Sequence, residues 1–248
     1  MLKAERQEKI IEILEVEHKV IASELSKRFD VSEDTIRRDL KELDNLGKLK
    51  RVHSGALKIG PKITNFEYRS KIGQEEKKIM AKKALPFIKE NSLIVIDGGT
   101  TNNTLINQIP LDFKCKIITN SIPIAVSLNN HKNIECIVLG GDYDKRTMSN
   151  FGPMTLKELD YFVPDIYIMG VYNINLEYGV SVNTFEESVI KKKMSDISTD
   201  VLCMVTKDKL ETVSNYKHTN LKDITYLITS NWEDKFKKKY RKFIEKVI

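Results

Sequence analysis

The first part of the chain carries apolar residues at the spacing of short amphipathic helices. Three such patterns follow one another before residue 48, with charged residues between the apolar positions. The apolar positions are Ile10, Ile11, Ile13 and Leu14 in the first helix (residues 3–16), Ala22, Leu25 and Phe29 in the second, and Ile36, Leu40 and Leu43 in the third. Two helices followed by a tight turn and a third helix predict a helix-turn-helix unit.

The third helix has clear start and stop residues and a basic outer face. Ser32 is a good N-cap, Glu33 and Asp34 suit the positive end of the helix dipole, and Gly47 suits the C-terminal end. The face opposite the apolar positions holds Thr35, Arg37, Arg38 and Lys41. Such a helix fits the major groove of duplex DNA. The alternative is an ordinary surface helix whose arginines pair with Glu33, Asp34 or Asp39.

The next stretch, KLKRVHSGALK at residues 48–58, favours DNA binding over that alternative. It has four basic residues and no acidic one, and its alternation predicts two short strands around Ser54-Gly55. A basic hairpin beside a third helix is typical of a wing that contacts DNA phosphates. His53 is expected to pack within the wing or to touch a phosphate. The predicted DNA-binding residues are Ser32, Glu33, Thr35, Arg37, Arg38, Lys41, Lys50, Arg51 and His53.

Beyond residue 58 the pattern changes from short helices to apolar runs that alternate with helix-like stretches. The runs lie at residues 93–97, 116–119, 134–139, 166–171, 201–206 and 225–229. Strands that are apolar throughout predict a mainly parallel sheet covered on both faces, as in Rossmann-like α/β folds. The predicted units are a winged helix-turn-helix domain at 1–58, a linker at 59–74 and an α/β domain at 75–248.

The last segment, WEDKFKKKYRKFIEKVI, has its apolar residues at helical spacing. Phe236, Tyr240, Phe243 and Val247 predict an amphipathic closing helix with a solvated basic face. A second DNA-binding patch is the alternative interpretation of its lysines.

Glycine, threonine and lysine residues follow several of the predicted strands. In open α/β sheets ligands bind at the carboxyl ends of the strands. The stretches at these ends are Asp97-Gly98-Gly99-Thr100-Thr101, Thr119-Asn120-Ser121, Gly140-Gly141-Asp142 and Thr206-Lys207-Asp208-Lys209. Backbone N–H groups with hydroxyl and ammonium groups beside them suit a phosphate. The GxGxxG and GxxxxGK[ST] motifs are absent, which disfavours a dinucleotide or a nucleoside triphosphate.

Composition adds limits to this picture. The 248 residues include 41% hydrophobic and 31% charged residues, and the formal net charge of +6 permits a nucleic-acid or phosphate partner. Cys115, Cys136 and Cys203 are far apart and are expected to be buried thiols. The opening residues lack the apolar stretch of a secretory signal and no run approaches the ~20 residues of a membrane span, so we expect a cytoplasmic location. No cofactor, metal site or catalytic residue is predicted.

The head of the chain resembles the DeoR family of bacterial transcription regulators. The matching stretches are LKAERQEKIIEIL, VSEDTIRRDLKELDNLGKL and RVHSGA. Ser54 stands where the family commonly has a glycine, and Ile21 replaces a small polar residue. The rest of the chain is similar to the effector domain of that family, through Arg69 with EKKIMAKKA, DGGTT, TNS, LGGDY, SNFG, PDIYIMGV and EESVIKKKM.

This resemblance implies a fold similar to ribose 5-phosphate isomerases and CoA transferases. It also implies that the α/β domain at 75–248 serves effector sensing and oligomerisation and contains an effector site. By resemblance, Asp97, Gly99, Thr100, Thr101, Ser121 and Lys209 line the site, with Glu187 and Lys191 close by. Thr206 stands where the family commonly has Asp. Together with the strand-end stretches, the predicted effector-binding residues are Asp97, Gly98, Gly99, Thr100, Thr101, Ser121, Gly141, Glu187, Lys191 and Lys209.

Three functions are compatible with these patterns. The first is a repressor of sugar-metabolism genes that binds double-stranded operator DNA as a homo-oligomer, a dimer or a tetramer, under the control of a phosphorylated sugar. The second is a sugar-phosphate isomerase or acyl-transfer enzyme with an accessory DNA-binding head, in which Asp97, Glu187 or Asp208 acts as a base. The third is a body that only dimerises. We expect the first, and no membrane partner.

Overall fold

A computed structural model describes residues 1–62 and 64–248. The part called here the head consists of three helices and a three-stranded antiparallel sheet with the strand order β1-β3-β2. Its elements are α1 (Lys3–Glu17), β1 (Lys19–Ile21), α2 (Ala22–Phe29), α3 (Glu33–Asn45), β2 (Lys50–Val52) and β3 (Gly55–Leu57). The predicted helices and the wing hairpin are confirmed. Strand β1 was not predicted, because its three residues become a strand only by pairing with β3.

The helix ends of the head follow local backbone chemistry. His18 and Asp30 have positive φ angles of 61° and 51° and end α1 and α2. The Ser32 hydroxyl accepts a hydrogen bond from the Thr35 N–H at 3.2 Å, as the N-cap prediction requires. Gly47, with a φ of 65°, follows the end of α3, where the left-handed conformation favours glycine.

A buried ion pair joins α1 to α3 inside the head. The Arg6 guanidinium donates to the Asp39 carboxylate at 2.6 Å, and both side chains are almost fully buried. Gln7 donates to the other Asp39 oxygen at 3.2 Å. The sequence suggested Asp39 only as a surface partner for Arg37 or Arg38, and that interpretation is wrong, because the Asp39 side chain turns inward onto α1.

The remainder consists of a connector (residues 58–73, of which 63 is not described) and a body built on a seven-stranded parallel sheet. The helices are α4 (Phe66–Lys71) in the connector and α5 (Gln74–Ala84), α6 (Thr100–Ile106), α7 (Ile122–Ser127), α8 (Pro153–Glu158), α9 (Phe185–Ile197) and α10 (Asp234–Tyr240) in the body. The strands are β4 (Leu93–Ile96), β5 (Cys115–Thr119), β6 (Ile134–Val138), β7 (Asp142–Asp144), β8 (Ser149–Phe151), β9 (Ile166–Gly170), β10 (Asn173–Asn175), β11 (Gly179–Val182), β12 (Asp200–Met204), β13 (Tyr216–Thr219), β14 (Tyr226–Ile228) and β15 (Lys246–Val247). The domain boundaries at residues 58 and 74 stay a prediction.

The strand order of the large sheet is β15-β14-β12-β9-β4-β5-β6. The chain therefore builds outward from β4 in one direction through β5 and β6, and from β9 in the other through β12, β14 and β15. The crevice between the carboxyl ends of β4 and β9 is the switch point of the topology, where α/β folds bind their ligands.

The central strands are covered on both sides, as their uninterrupted apolar character predicts. Along β4, Ile94 and Ile96 pack into one apolar cluster with α5 and α6, whereas Val95 packs into another with α9. All three side chains are fully buried. The core thus lies in two layers, one on each face of the sheet, and the strand ends remain open for a site.

Several sequence-based expectations fail at the edges of the body. Strand β6 is an edge strand whose Ile137 and Val138 are 40% and 44% exposed, so its two faces are not covered. Cys136 on this strand is exposed, against the expectation of a buried thiol.

The closing helix is shorter than predicted. It ends at Tyr240, Phe243 is exposed, and Val247 belongs to β15. The spacing looked helical because apolar residues of a short helix, a turn and a short strand lie four, three and four residues apart.

The body also contains two small antiparallel sheets that the sequence did not predict, β10-β11-β13 and β7-β8. One of them faces the head, since Glu177 in the turn between β10 and β11 pairs with Lys19 at 2.6 Å. In the part of the chain that the structure describes, no helix combines the length and apolar character needed to cross a membrane.

Candidate functional site

The first candidate site is the basic surface of the head. Arg37, Arg38 and Lys41 are exposed on α3, and the wing residues Arg51 and His53 are exposed as well. A groove of about 310 Å³ lies between α3 and the wing, and Arg37, Arg51 and His53 are among the residues that line it. The fold therefore brings together on one surface basic side chains that are distant in sequence, as contacts to a nucleic-acid backbone require.

Other predicted DNA-binding residues have local partners. Ser32 caps α3 and contacts the Thr35 hydroxyl at 2.9 Å. Glu33 lies 3.4 Å from the Arg37 guanidinium, one turn away on α3. This ion pair is one of those expected if α3 were an ordinary surface helix. Lys50 donates to the Asn215 side chain of the body at 2.8 Å. These side chains are exposed or partly exposed, and such contacts are weak in water.

The second candidate site lies at the switch point of the parallel sheet. Asp97 follows β4 and is almost fully buried. Its Oδ1 accepts from the Gly170 N–H at 2.5 Å and from Asn102 Nδ2 at 3.1 Å, and its Oδ2 accepts from the Tyr167 hydroxyl at 2.7 Å and from the Lys191 ammonium. The carboxylate thus connects the end of β4 to β9 and α9, and its lone pairs accept hydrogen bonds from protein donors.

Lys191 and Glu187 stand one turn apart on α9 beside this carboxylate. Burial alone would lower the pKa of Lys191, but the Asp97 and Glu187 carboxylates outweigh burial and raise it, so the ammonium stays charged. Lys191 also donates to the Gly170 carbonyl at 2.7 Å, and its Nζ lies 3.7 Å from Glu187 Oε1. Burial and the neighbouring Asp97 raise the pKa of Tyr167 well above its usual value, which keeps its hydroxyl a donor.

Two cavities flank the switch point. The smaller, of about 10 Å³, has room for about one water molecule. Its walls are Asp97, Gly98, Asn120, Thr147, Ser149, Phe151, Glu187, Ile190 and Lys191. These side chains are mainly hydrogen-bonding groups, as suits a bound water molecule rather than a sugar.

The larger cavity has a volume of about 520 Å³, within the range of small-molecule sites. The connector supplies Pro61, Lys62, Thr64, Tyr68, Arg69, Ile72 and Gly73, and the body supplies Glu76, Lys77, Thr100, Tyr172, Thr206, Lys207, Asp208 and Lys209. Five of these residues are lysine or arginine, whereas only Glu76 and Asp208 are acidic, so positive charge prevails.

The cations of the larger cavity repel one another. Burial, together with the nearby Arg69, Lys77 and Lys191, lowers the pKa of Lys209 to about 8. Burial lowers the pKa of Arg69 and that of Lys77, and the cationic neighbours act in the same direction. A bound anion would relieve this repulsion, because an opposite charge favours the protonated form of each group. The cavity is therefore electrostatically suited to a phosphate.

The predicted effector residues fall into three groups in the structure. Thr100 and Lys209 line the larger cavity, while Asp97, Gly98, Glu187 and Lys191 line the smaller one. The others do not appear in either wall: Gly99, Thr101, Ser121 and Gly141. Of these, Ser121 has a buried Oγ without a hydrogen-bond partner in the described residues, and its side chain lies next to Gly98. Gly141, with a φ of 129°, packs against Phe151 and Thr155 instead.

The sequence analysis did not predict that Arg69 and Lys77 line the larger cavity. Arg69 was noted only as part of a family resemblance, and Lys77 as part of a helix. The cavity forms only when the connector folds back over the strand ends. The spacing of basic residues in the connector and α5 therefore could not predict it. No cluster of His, Cys, Asp and Glu that could hold a metal is found among residues 1–62 and 64–248.

A winged helix-turn-helix head joined to a parallel α/β body with a cationic cavity defines a ligand-sensing DNA-binding protein. Comparison with known families gives the same result. The model of the DeoR C terminal sensor domain matches residues 72–231, and that of the DeoR-like helix-turn-helix domain matches residues 6–61. The chain belongs to the DeoR family of transcriptional regulators.

Individual relatives extend over nearly the whole chain. The uncharacterized HTH-type transcriptional regulator YulB of Bacillus subtilis is 32% identical over 94% of this chain and 91% of its own length. The HTH-type transcriptional repressor GlcR of the same species is 28% identical over 92% of this chain and 89% of its own. Among solved structures, ribose 5-phosphate isomerase A from Neisseria gonorrhoeae is 19% identical, with a TM-score of 0.41 over 56% of this chain and 54% of its own.

Proposed function

We propose that this regulator represses transcription by binding double-stranded operator DNA, and that a phosphorylated sugar in the body modulates this binding. The observation that carries the proposal is the cationic cavity at the strand ends of a chain whose head is a winged helix. The relative GlcR is named a repressor, which supports repression as the sign of control.

The chemistry of the larger cavity supports a ligand with one anionic end and one hydroxylated end. Arg69 and Lys209 can bind a phosphate. Thr100 and Thr206 offer hydroxyl groups to sugar hydroxyls in the same cavity. A sugar phosphate has both features in one molecule, whereas inorganic phosphate has only the first.

Sensing is favoured over catalysis by the state of the buried carboxylates. Asp97 accepts four hydrogen bonds from protein donors, and Glu187 lies beside the Lys191 ammonium. A general base needs a lone pair directed at the substrate proton. We therefore propose that the body binds its ligand without turnover, and an isomerase assay with pentose and hexose phosphates tests this: measurable turnover would contradict it.

The link between the two sites is a difference in affinity. We propose that a homo-oligomer, a dimer or a tetramer, places two or more heads on DNA half-sites, and that the ligand prefers one arrangement of the heads over another. It can shift operator binding only by that preference. The test is fluorescence anisotropy of labelled promoter fragments at several salt concentrations, with and without sugar phosphates. An affinity for duplex DNA that neither salt nor any sugar phosphate alters would contradict the proposal.

Arg38→Ala is expected to weaken operator binding by about 1–3 kcal/mol if the guanidinium reads a guanine, or to lower the salt dependence of binding if it touches a phosphate. Arg38 is exposed on α3 and, among the described residues, has no ion-pair partner. The measurement is a salt titration of operator affinity. Lys9→Ala on α1, which removes an exposed charge outside α3 and the wing, is the control. Unchanged affinity of the Arg38 variant at every salt concentration would remove this residue from the interface.

Thr100→Asp is expected to abolish the response to a sugar phosphate. The new carboxylate would face the larger cavity and repel the phosphate, yet it sits in the first turn of α6, where negative charge does not harm the helix. Thr100→Asn, of the same size without the charge, is the matched control. In a thermal unfolding assay, ligand at ~100 times its dissociation constant should add about 2.7 kcal/mol to the wild type and nothing to the Asp variant. Equal stabilisation of both would place the phosphate elsewhere.

A further inference from the structure

The connector between head and body forms one wall of the larger cavity. Its residues Pro61, Tyr68, Arg69 and Gly73 line the cavity opposite the strand ends that carry Lys209. A ligand in this cavity would therefore touch the segment that leads directly to the wing.

The connector is hydrogen-bonded to both head and body at its start. The Lys58 N–H donates to the His18 carbonyl of the head at 2.9 Å, and the Lys58 carbonyl accepts from the Val213 N–H of the body at 3.2 Å. The Tyr172 hydroxyl, from the cavity wall, donates to the Pro61 carbonyl at 2.7 Å. A shift of the connector would therefore displace His18, which directly precedes β1 at the edge of the head sheet.

The far end of the connector is held by Lys77. Its ammonium donates to the Arg69 carbonyl at 2.5 Å and to the Ile72 carbonyl at 2.6 Å, where α4 ends. The Lys77 ammonium therefore binds the connector backbone. The Arg69 guanidinium has one weak contact, from Nε to the Asn65 carbonyl at 3.4 Å, and Lys209 donates to the Val171 carbonyl at 2.8 Å. Within the described chain, neither Arg69 nor Lys209 forms an ion pair with a carboxylate.

We propose that the ligand's phosphate is bound between Arg69 of the connector and Lys209 of the sheet rim, so that the bound ligand fastens the connector to the body and acts on the head through it. This inference rests on the proposed function and adds the residue and the route by which binding reaches the DNA-binding head. Arg69 supplies a planar, permanently charged donor group suited to phosphate oxygens. Lys209 supplies the opposing charge from the body.

Gly60 offers a way to separate binding from transmission. A Cβ at this position would lie 1.8 Å from Asn173 Oδ1 on β10, so an alanine must displace either the connector or that side chain. Gly60 precedes the part of the connector that lines the cavity. Gly60→Ala should therefore disturb the path from cavity to head and leave the phosphate contacts in place.

The first test compares Arg69→Gln with Lys71→Gln in the full-length protein. Both variants remove one positive charge from α4, but Lys71 is exposed and lies outside the cavity wall. The probes are ribose 5-phosphate, glucose 6-phosphate and inorganic phosphate, in thermal unfolding and in operator anisotropy. For whichever sugar phosphate shifts the wild type, we expect Arg69→Gln to lose about ten- to hundredfold in affinity, as for a lost charge-assisted hydrogen bond, and Lys71→Gln to match the wild type. Equal affinity of both variants would overturn the role of Arg69.

The second test uses Gly60→Ala with the same probes. We expect the sugar phosphate to raise its unfolding temperature as in the wild type, while the ligand-induced change in operator affinity falls at least several-fold. A full operator response in this variant would overturn the route through the connector. If no sugar phosphate shifts the wild type in either assay, the proposed function itself fails together with this inference. If the wild type responds and the variants respond equally, only the inference fails.

Discussion

Replacing Lys191 with methionine is expected to lower the free energy of unfolding by about 3–5 kcal/mol. Methionine has nearly the same length, but it leaves the Asp97 carboxylate buried at the switch point without its cation. Asp97 would retain Tyr167 and Asn102 as donors, which do not neutralise its charge. Urea denaturation followed by circular dichroism measures the loss.

Lys192→Met on the same helix is the matched control for this experiment. Lys192 pairs with Asp196, and both side chains are about half exposed, so the change should cost between zero and about 1 kcal/mol. Equal denaturation midpoints for the two variants would show that the Lys191–Asp97 pair does not hold β4 to α9. A large difference would also explain why a carboxylate follows β4 beside a proposed anion site: the Lys191 ammonium neutralises its charge.

Asp39→Ala is expected to destabilise the head by about 3–5 kcal/mol, because it leaves the Arg6 guanidinium buried and unpaired. The pair joins α1 to α3, so hydrogen exchange of the amides in both helices should accelerate and operator binding should weaken. The exchange rates of the body core should stay unchanged.

Asp34→Ala is the control for the head. Asp34 is exposed in the first turn of the same helix, where its interaction with the helix dipole contributes about 0.3–1 kcal/mol. Similar exchange rates in the two variants would mean that Asp39 contributes no more than a surface charge. Loss of operator binding without faster exchange would instead assign Asp39 to the DNA interface.

Local patterns were enough to predict the elements of the head and the central strands. The apolar spacing of Ile36, Leu40 and Leu43 defined the buried face of α3, and those side chains are indeed buried. The hydroxyl of Ser32 defined its start. Such predictions succeed because helix periodicity and capping involve residues within one or two turns of each other.

Patterns failed where an element is short or lies at an edge. Strands β1 and β15 have three and two residues, and only their neighbours in the sheet make them strands. Cys136 and Val138 lie in an apolar run like those of the core, but β6 has a partner strand on one side only. Position in a sheet depends on the order of the strands, which the run itself does not contain.

In the candidate effector site, too, some features could be predicted from local sequence and others depend on the tertiary structure. The sequence determined that glycine, threonine and lysine follow the strands, and the sheet brings Thr100 and Lys209 to one cavity. The strand order decided that Asp97 meets Lys191 and is neutralised there. Folding of the connector over the strand ends decided that Arg69 joins the cavity.

The sequence by itself therefore determined the class of the protein, its helices and most of its strands, because these depend on side chains close together along the chain. Only the tertiary structure decided which charges are paired and buried and which face an open cavity. That division has a physical reason: the energy of a charge depends on its burial and its partners, and both are set by contacts between residues far apart in sequence.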